Sequence, residues 1–371
     1  MRSNYYFELA GKADDHALRS VLRRTSMPGK PSLCAQREPE FFVGEQVGNI
    51  DSQVIVARKS DDQSIAGLAS RSFRKMFIDG EVKTRGYLSG LRGLPEVRGG
   101  TLLARGYRFL RELHADGRTP YYVSTIFDDN DYAKEVLTSG RAGLPVYCSW
   151  GCLNTYLLPL YGRHRPRPRC GKVVVGTSGG PLCSLVDCIN QFNRRHQFAP
   201  WYTQEDFLGA TTLLPGFPLE NLYGYQDDGN ITATLGVWDQ SAFKQLVITG
   251  YPWHYQVAQP FLYGGSVLGL THRLPRAGQP IPCLYGAFLS HAPQRLAHLE
   301  SLLVAILRDW SRRGYIYLMV GIHERSAANQ VLKRHAVKQK SSRVYLVYWE
   351  DALDSPLPSG ELVPHLEIGT L

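Results

Sequence analysis

The chain has 371 residues, 43% of them hydrophobic and 20% charged, proportions that exclude an intrinsically disordered, collagen-like or low-complexity protein. At about 150 residues per domain, that length predicts two or three domains, each able to bury a core of its own. Lys plus Arg exceed Asp plus Glu by 42 to 33, and the net charge of +9 favours anionic partners: phosphorylated cofactors, nucleic acid or acidic surfaces.

In chain order, residues 5–9 read as a strand, and DDHALRSVLRR at 14–24 as a helix opened by acidic residues that suit its positive end. Residues 53–58, 64–73 and 83–92 read as strands, the first two joined by the polar turn KSDDQ at 59–63. After Pro95 the period changes. Leu103, Tyr107, Leu110 and Leu113 or His114 recur at helical spacing and predict an amphipathic helix over about 101–115. A strand at 121–127, a short helix at 130–137 and a strand region through PVYCSWGCLNTYL follow.

Arg163, Arg165, Arg167 and Arg169 interleave with His164, Pro166 and Pro168, which reads as a stiff, solvated linker over 161–170 rather than a phosphate-contacting arm. It divides the chain into 1–160 and 171–371. The second piece repeats the element order: a strand at 172–176, a helix at 181–192, paired strands in ITATLGVWD and FKQLVITGY, and a strand at 283–290. A helix with Leu296, Leu299, Leu303, Ile306 and Trp310 on one face, a strand at 315–322 and a helix at 327–335 complete it. An offset of 197 aligns LRELHADG with LRDWSRRG and Arg98 with Arg295. At an offset of 195, Ala133, Val136 and Leu137 fall on Ala328, Val331 and Leu332, so an internal duplication of a mixed α/β layer is expected.

The chemistry-bearing stretch is YLSGLRGLPEVRGGTLLARGYRFLREL, residues 87–113. A strand ends, Pro95 turns the chain, and Arg98, Gly99 and Gly100 lead into a helix whose first N–H groups lack intrahelical acceptors. Such donors, the helix dipole and glycines that allow close backbone approach make an anion site. Strand, L-x-G-x-P-x-x-R-G-G, helix, strand, N-x-x-A, helix resembles the GNAT acyltransferase superfamily, whose V-x-P-x-x-R-G-x-G-x-G/A motif binds acetyl-coenzyme A. The resemblance covers the first piece, and residues 171–371 resemble a degenerate copy of it. It implies an α/β (α+β) fold of two GNAT-like domains, each a mixed, mostly antiparallel sheet flanked by helices.

By that resemblance, Leu91 and Gly93 offer backbone hydrogen bonds to the pantetheine and thioester, and Arg98, Gly99, Gly100, Thr101, Leu102 and Leu103 form the pyrophosphate loop. Thr101 and Leu103 replace the family's later glycines, which keeps the N–H groups but not the closest approach. Asn130 matches an asparagine that contacts the cofactor arm. Leu137 stands where a tyrosine often protonates the leaving thiolate, leaving Tyr132 as a substitute or a surface tyrosine. Glu81, with Asp79 second to it, is the base candidate; a turn carboxylate is the alternative reading of either. The second piece has Leu296 and Ala297 in place of Gly99 and Gly100, so coenzyme A binding in the usual mode is not expected there.

The expected activity is therefore acyl-coenzyme A-dependent N-acyl transfer, acetyl-coenzyme A or another acyl-coenzyme A meeting an unidentified amine acceptor. A non-catalytic acyl-coenzyme A-binding or interaction module and an aminoacyl-tRNA-dependent transferase stay open; nucleic acid is otherwise not an expected partner. The second piece is expected to cover the first, shape the acceptor site or make a homodimer contact.

Other signals weigh less. Seven cysteines without a C-x-x-C predict free thiols, and Cys148, Cys152 and Cys170 are read as buried free thiols rather than as a metal set completed by the nearby His164, no metal being expected. GTSGG at 176–180 matches G-x-S-x-G at Ser178, but its strand opens a domain, which favours a plain glycine turn. His323-Glu324 lacks the second histidine of a zinc-protease motif, because that position is Ala327. His335 reads as a solvated helix-end histidine, Trp253 and Tyr255 as packing residues. No apolar run approaches the ~20 residues that span a bilayer, and the first residues meet Asp14 and Asp15 before a signal-type stretch forms, so a cytoplasmic location without a membrane partner is expected.

Overall fold

Alternation of apolar and polar residues gives way to helical spacing and back twice along the chain, and the elements follow that rhythm. They are β1 (Tyr5–Leu9), α1 (Asp15–Arg24), β2 (Ser32–Gln36), α2 (Phe41–Gln46), β3 (Asp51–Lys59), β4 (Ile65–Ile78), β5 (Glu81–Gly93), α3 (Leu102–His114), β6 (Tyr122–Phe127), α4 (Asp131–Leu137) and β7 (Val146–Pro159). Then come β8 (Lys172–Val175), α5 (Gly180–Asn193), β9 (His196–Gln197), α6 (Gln204–Phe207), β10 (Leu222–Asp227), β11 (Asn230–Trp238) and β12 (Gln245–Gly250). The last are β13 (Cys283–His291), α7 (Leu296–Asp309), β14 (Tyr317–His323), α8 (Asn329–His335), β15 (Lys338–Tyr348) and β16 (Val363–Pro364). This computed structural model describes residues 4–27, 31–97, 101–161, 172–252 and 275–371, apart from 142, 312 and 354. Arg98, Gly99, Gly100, the arginines of RHRPRPR, His164, Cys170, Trp253 and Tyr255 lie outside the described residues.

One twelve-stranded sheet runs in the order β1-β3-β4-β5-β6-β15-β7-β14-β13-β11-β10-β8. Matching β1, β3, β4, β5, β6 and β7 with β8, β10, β11, β13, β14 and β15 turns this order into its own mirror image, so the two halves are related by a pseudo-twofold. The final strands are exchanged: β15 lies between β6 and β7, and β7 pairs with β14 from Leu153 to Pro159. Within this sheet each half contains one parallel contact. Gly86, Tyr87 and Leu88 oppose Tyr122, Val123 and Ser124, while Cys283, Leu284 and Tyr285 oppose Tyr317, Leu318 and Met319. These triplets are separated by 197 and 195 positions, the two offsets at which the sequence matches itself.

Turn chemistry explains the meanders. Asp79 and Gly80 both take positive φ, 51° and 81°, and close the β4–β5 hairpin in the manner of a two-residue Asp-Gly turn. Asp228 and Gly229, at 46° and 80°, do the same for β10–β11. That second hairpin corrects the expectation that ITATLGVWD pairs with FKQLVITGY. β11 has β10 on one edge and β13 on the other, so β12 finds no vacant edge and pairs with β2 in a separate two-stranded sheet.

The sheet is covered on both faces. Along β6, Tyr122 and Ile126 join Tyr107 and Leu110 of α3 with Tyr345 and Trp349, whereas Val123 faces Met76, Tyr87 and Leu153 in the core on the opposite face. Leu299, Leu302, Leu303 and Ile306 of α7 pack on β11 and β14 through Leu235, Val237 and Leu318.

Candidate functional site

Past Leu88 and Ser124, β5 and β6 no longer pair and the sheet opens into a wedge. β5 continues to Gly93 while bonded only to β4, with Gly67 opposite Gly93 and Leu68 opposite Arg92. Gly90 takes φ 68° within this stretch, where the register to β4 slips by one residue. The bulge turns the strand and leaves the edge of residues 89–93 toward β6 without a strand partner. At the apex the Ser124 hydroxyl donates to the Leu88 carbonyl at 2.9 Å.

The sequence-predicted residues divide around this wedge. Leu91, 41% exposed, and Gly93 lie on its β5 edge. Thr101 is the N-cap of α3 and makes no side-chain capping bond, and Leu102 packs toward Gly67, the partner of Gly93, so the helix start sits beside the strand end. Leu103 is half-buried on the same first turn. Asn130 and Tyr132 flank the β6 side at the start of α4. Asn130 Oδ1 accepts from Ala133 N at 3.2 Å as a helix cap, and Tyr132 is 58% exposed. Leu137 is buried in the core beneath α4. Glu81 begins β5 at the end away from the wedge, is exposed, and lies 3.7 Å from Arg194. Asp79 is held in the hairpin turn, accepting from Gln197 Nε2 at 3.0 Å and Ser359 N at 3.1 Å. The first group is thus gathered at one mouth, and the two carboxylates are not.

On the sheet face opposite α3, a cavity of about 390 Å³ adjoins the wedge apex. Its lining includes Arg74 and Met76 of β4, Tyr87 of β5, Tyr202, and Leu366 and Glu367 from the end of the chain. Tyr87 reaches the apex, its hydroxyl 3.1 Å from Thr125 Oγ1 on β6, and burial raises its pKa. The Arg74 guanidinium lies 4.2 Å over the Tyr87 ring and donates to Asn49 Oδ1 at 2.6 Å. Glu367, 3% exposed, accepts from the Tyr202 hydroxyl at 2.8 Å and from Phe288 N at 3.1 Å. Sequence reasoning did not reach these residues. Arg74 carried one readable signal, a charge in register with Met76 on an inward strand face; Glu367 carried none, since its neighbours are 79 and 165 positions away.

No protein-family model matches this sequence, and no curated protein is detectably similar to it. Solved structures do match in shape. A GCN5-related N-acetyltransferase from Sphaerobacter thermophilus superposes with a TM-score of 0.60 at 12% identity, over 97% of this chain and 99% of that one. The N-myristoyltransferase of Saccharomyces cerevisiae with bound myristoyl-CoA gives 0.61 at 10% identity, over 94% of this chain and 79% of that one. A GCN5-related glucosamine N-acetyltransferase region of a fungal multi-domain β-N-acetylglucosaminidase gives 0.59 at 11% identity; the match covers 93% of this chain but only 38% of that longer one. The chain has a GNAT fold.

The second half of this GNAT fold carries the same wedge, and the chain itself fills it. Beyond Tyr285 and Met319, β13 and β14 part, and residues 367–370 enter between them. Glu367 takes the Phe288 N–H, Gly369 lies against Ala287, and Ile368 packs on Gly321, where an added Cβ would come within 2.4 Å of the Ile368 side chain. Glu367, Gly369 and Thr370 are buried. Among the described residues, no chain segment pairs with the β5 edge of the first-half wedge. Among those residues there is also no cluster of three or more His, Cys, Asp and Glu side chains arranged to hold a metal, and no helix long and apolar enough to cross a membrane.

Proposed function

We propose that the protein is an acyl-coenzyme A-dependent N-acyltransferase whose acyl donor occupies the wedge between β5 and β6. The observation that carries this reading is the asymmetry of the two wedges: one keeps a free strand edge leading to an uncapped helix start, the other is plugged by Glu367 to Thr370. A free β-edge offers main-chain donors and acceptors to an extended pantetheine chain, and a helix N-terminus favours a pyrophosphate. In this reading Leu91 and Gly93 hold the pantetheine and thioester, and Arg98, Gly99, Gly100, Thr101, Leu102 and Leu103 the pyrophosphate, with Asn130 beside the arm. When bound, an acyl-coenzyme A supplies an activated acyl carbonyl.

The amine approaches from the cavity on the opposite face. Tyr87 and Thr125 stand where the cavity meets the apex, and their hydroxyls orient the amine and pass its proton away. Glu367 is closer to the reaction in this arrangement than Glu81 or Asp79, because it lines the cavity and they do not.

Thr101→Asp tests the donor site without threatening the fold. Asp at an N-cap stabilises a helix, yet it sets a negative charge where the pyrophosphate would lie. Titration of acetyl-coenzyme A and longer thioesters should show saturable binding to the wild type and at least ~10-fold weaker binding to the variant, about 1.4 kcal/mol. A variant that melts no lower and binds equally well overturns the placement, and no binding to the wild type overturns the reading.

A further inference from the structure

Three arginines around the first-half sheet are neutralised by carboxylates. Arg71, fully buried, is held by both oxygens of Asp116, Arg58 by Glu8 and Asp14, and Arg37 by Glu45. Arg74 differs. It is half-buried on the cavity wall, and among the described residues no carboxylate lies within 4 Å of it. Its contacts are one neutral amide oxygen, Asn49 Oδ1, and the Tyr87 ring. The nearby carboxylates are engaged elsewhere: Glu45 by Arg37 and Ser70, and Glu367 by Tyr202 and Phe288. Burial lowers the Arg74 pKa, the physical mark of a cation short of compensation.

A guanidinium presents five donors in a planar fork, and Asn49 uses one of them. Arg74 and Glu367 both line the cavity, together with Lys75, Asp206 and the apolar surfaces of Met76, Tyr87 and Leu366. Glu367 retains acceptor capacity: a carboxylate has about four lone-pair sites, and among the described residues two hydrogen bonds reach it, with His365 Nε2 lying 3.8 Å from Oε1. A guanidinium and a carboxylate lining one largely apolar space of about 390 Å³ match a small zwitterion with an apolar body.

We propose that the acceptor is an amino-acid-type molecule, with Arg74 binding its carboxylate, Glu367 its ammonium, and the apolar wall its side chain. The proposal rests on the acyltransferase reading for what then happens to the amine: the bound ammonium first gives up one proton to solvent, the freed nitrogen lone pair attacks the thioester carbonyl, the C–S bond breaks, and a second N–H proton passes to the sulfur so that coenzyme A departs as thiol.

The test compares amines with and without the carboxylate. L-leucine and L-phenylalanine are titrated into the full-length protein, free and saturated with coenzyme A, beside isopentylamine and phenethylamine. Thiol release from acetyl-coenzyme A is followed with the same four compounds. Binding of the carboxylated member at least ~30-fold tighter than its decarboxylated twin is expected, because an unmatched buried charge is costly to a ligand that lacks the partner group. Arg74→Gln should erase that ratio and Arg74→Lys keep part of it, with circular dichroism unchanged. Equal affinity for both members, no binding of either amino acid, or a ratio that survives Arg74→Gln overturns the proposal. Loss of acetyl-coenzyme A binding alone sinks the acyltransferase reading instead, since the amino-acid titration into the free protein is read independently.

Discussion

The backbone N–H of Phe288 donates to Glu367 across 79 positions of sequence, at the point where the second-half wedge opens. Phe288 lies three residues beyond the last parallel pair of β13, as Gly90 lies two beyond that of β5, and both take positive φ, 58° and 68°. Gly90 leaves its wedge clear. Phe288 buries its ring among Tyr202, Phe207 and Phe217 and offers its N–H to the returning chain.

Glu367→Leu should therefore unfold more easily. It strands the Phe288 N–H and the Tyr202 hydroxyl inside the protein, at about 1–3 kcal/mol for each unsatisfied group. Urea unfolding should show a loss of about 3 kcal/mol, and Glu367→Gln, which keeps an acceptor oxygen, should lose clearly less. Equal losses in the two variants would mean that the charge, not the hydrogen bonds, holds residues 367–370 in place.

Exchange of β7 and β15 ties the halves together, since each half is completed by the other's final strand. Equilibrium unfolding should be one transition, with far-ultraviolet circular dichroism and tryptophan fluorescence coincident. Amides of β4 and β11 should exchange with hydrogen at the same opening free energy. Two separated transitions would show that the continuous sheet does not couple them.

The sequence carried the local part of this architecture and not the long-range part. β1, β3, β5, α3 and α4 are legible because each is set by its own periodicity and by punctuation such as Asp79-Gly80 and Pro95. The duplication is legible because both parallel pairs kept their register. Strand exchange is not, for nothing within Lys338–Tyr348 says which neighbour it will choose. The proposed donor wedge rests on a helix start that the sequence marks, whereas the proposed acceptor cavity is assembled from Arg74, Tyr202 and Glu367, which meet only through tertiary folding.

Gly86 opens the parallel triplet that ends at the apex. A Cβ there would come within 2.2 Å of Tyr122 Cδ1, and that ring cannot withdraw: it is fully buried and its hydroxyl is held by Arg71 Nε at 2.9 Å. Gly86→Ala should destabilise the protein by about 2 kcal/mol through overpacking. Because the strain falls on the short parallel triplet that ends at the wedge, the KM for acyl-coenzyme A should rise several-fold in protein that remains folded. An unchanged KM alongside the lost stability would place the donor elsewhere.

Acid should weaken the protein through its buried histidines. His196 is packed 4.1 Å from the Phe192 ring and 5.7 Å from His365, and burial, helped by repulsion from His365, lowers its pKa from 6.5 to about 3. His291 and His323 are shifted in the same direction, again mainly by burial. A histidine kept neutral in the fold protonates first in the unfolded chain. Its stabilising contribution is complete above pH 6.5, falls as pH drops from 6.5 toward 3, and is absent below that. In that window His196 costs about 1.4 kcal/mol per pH unit. Thermal melts between pH 7.5 and 5 should show a falling Tm, and His196→Phe, which removes one titrating ring while filling its space, should make the decline shallower. A variant with the same slope as the wild type would assign the acid sensitivity to other groups.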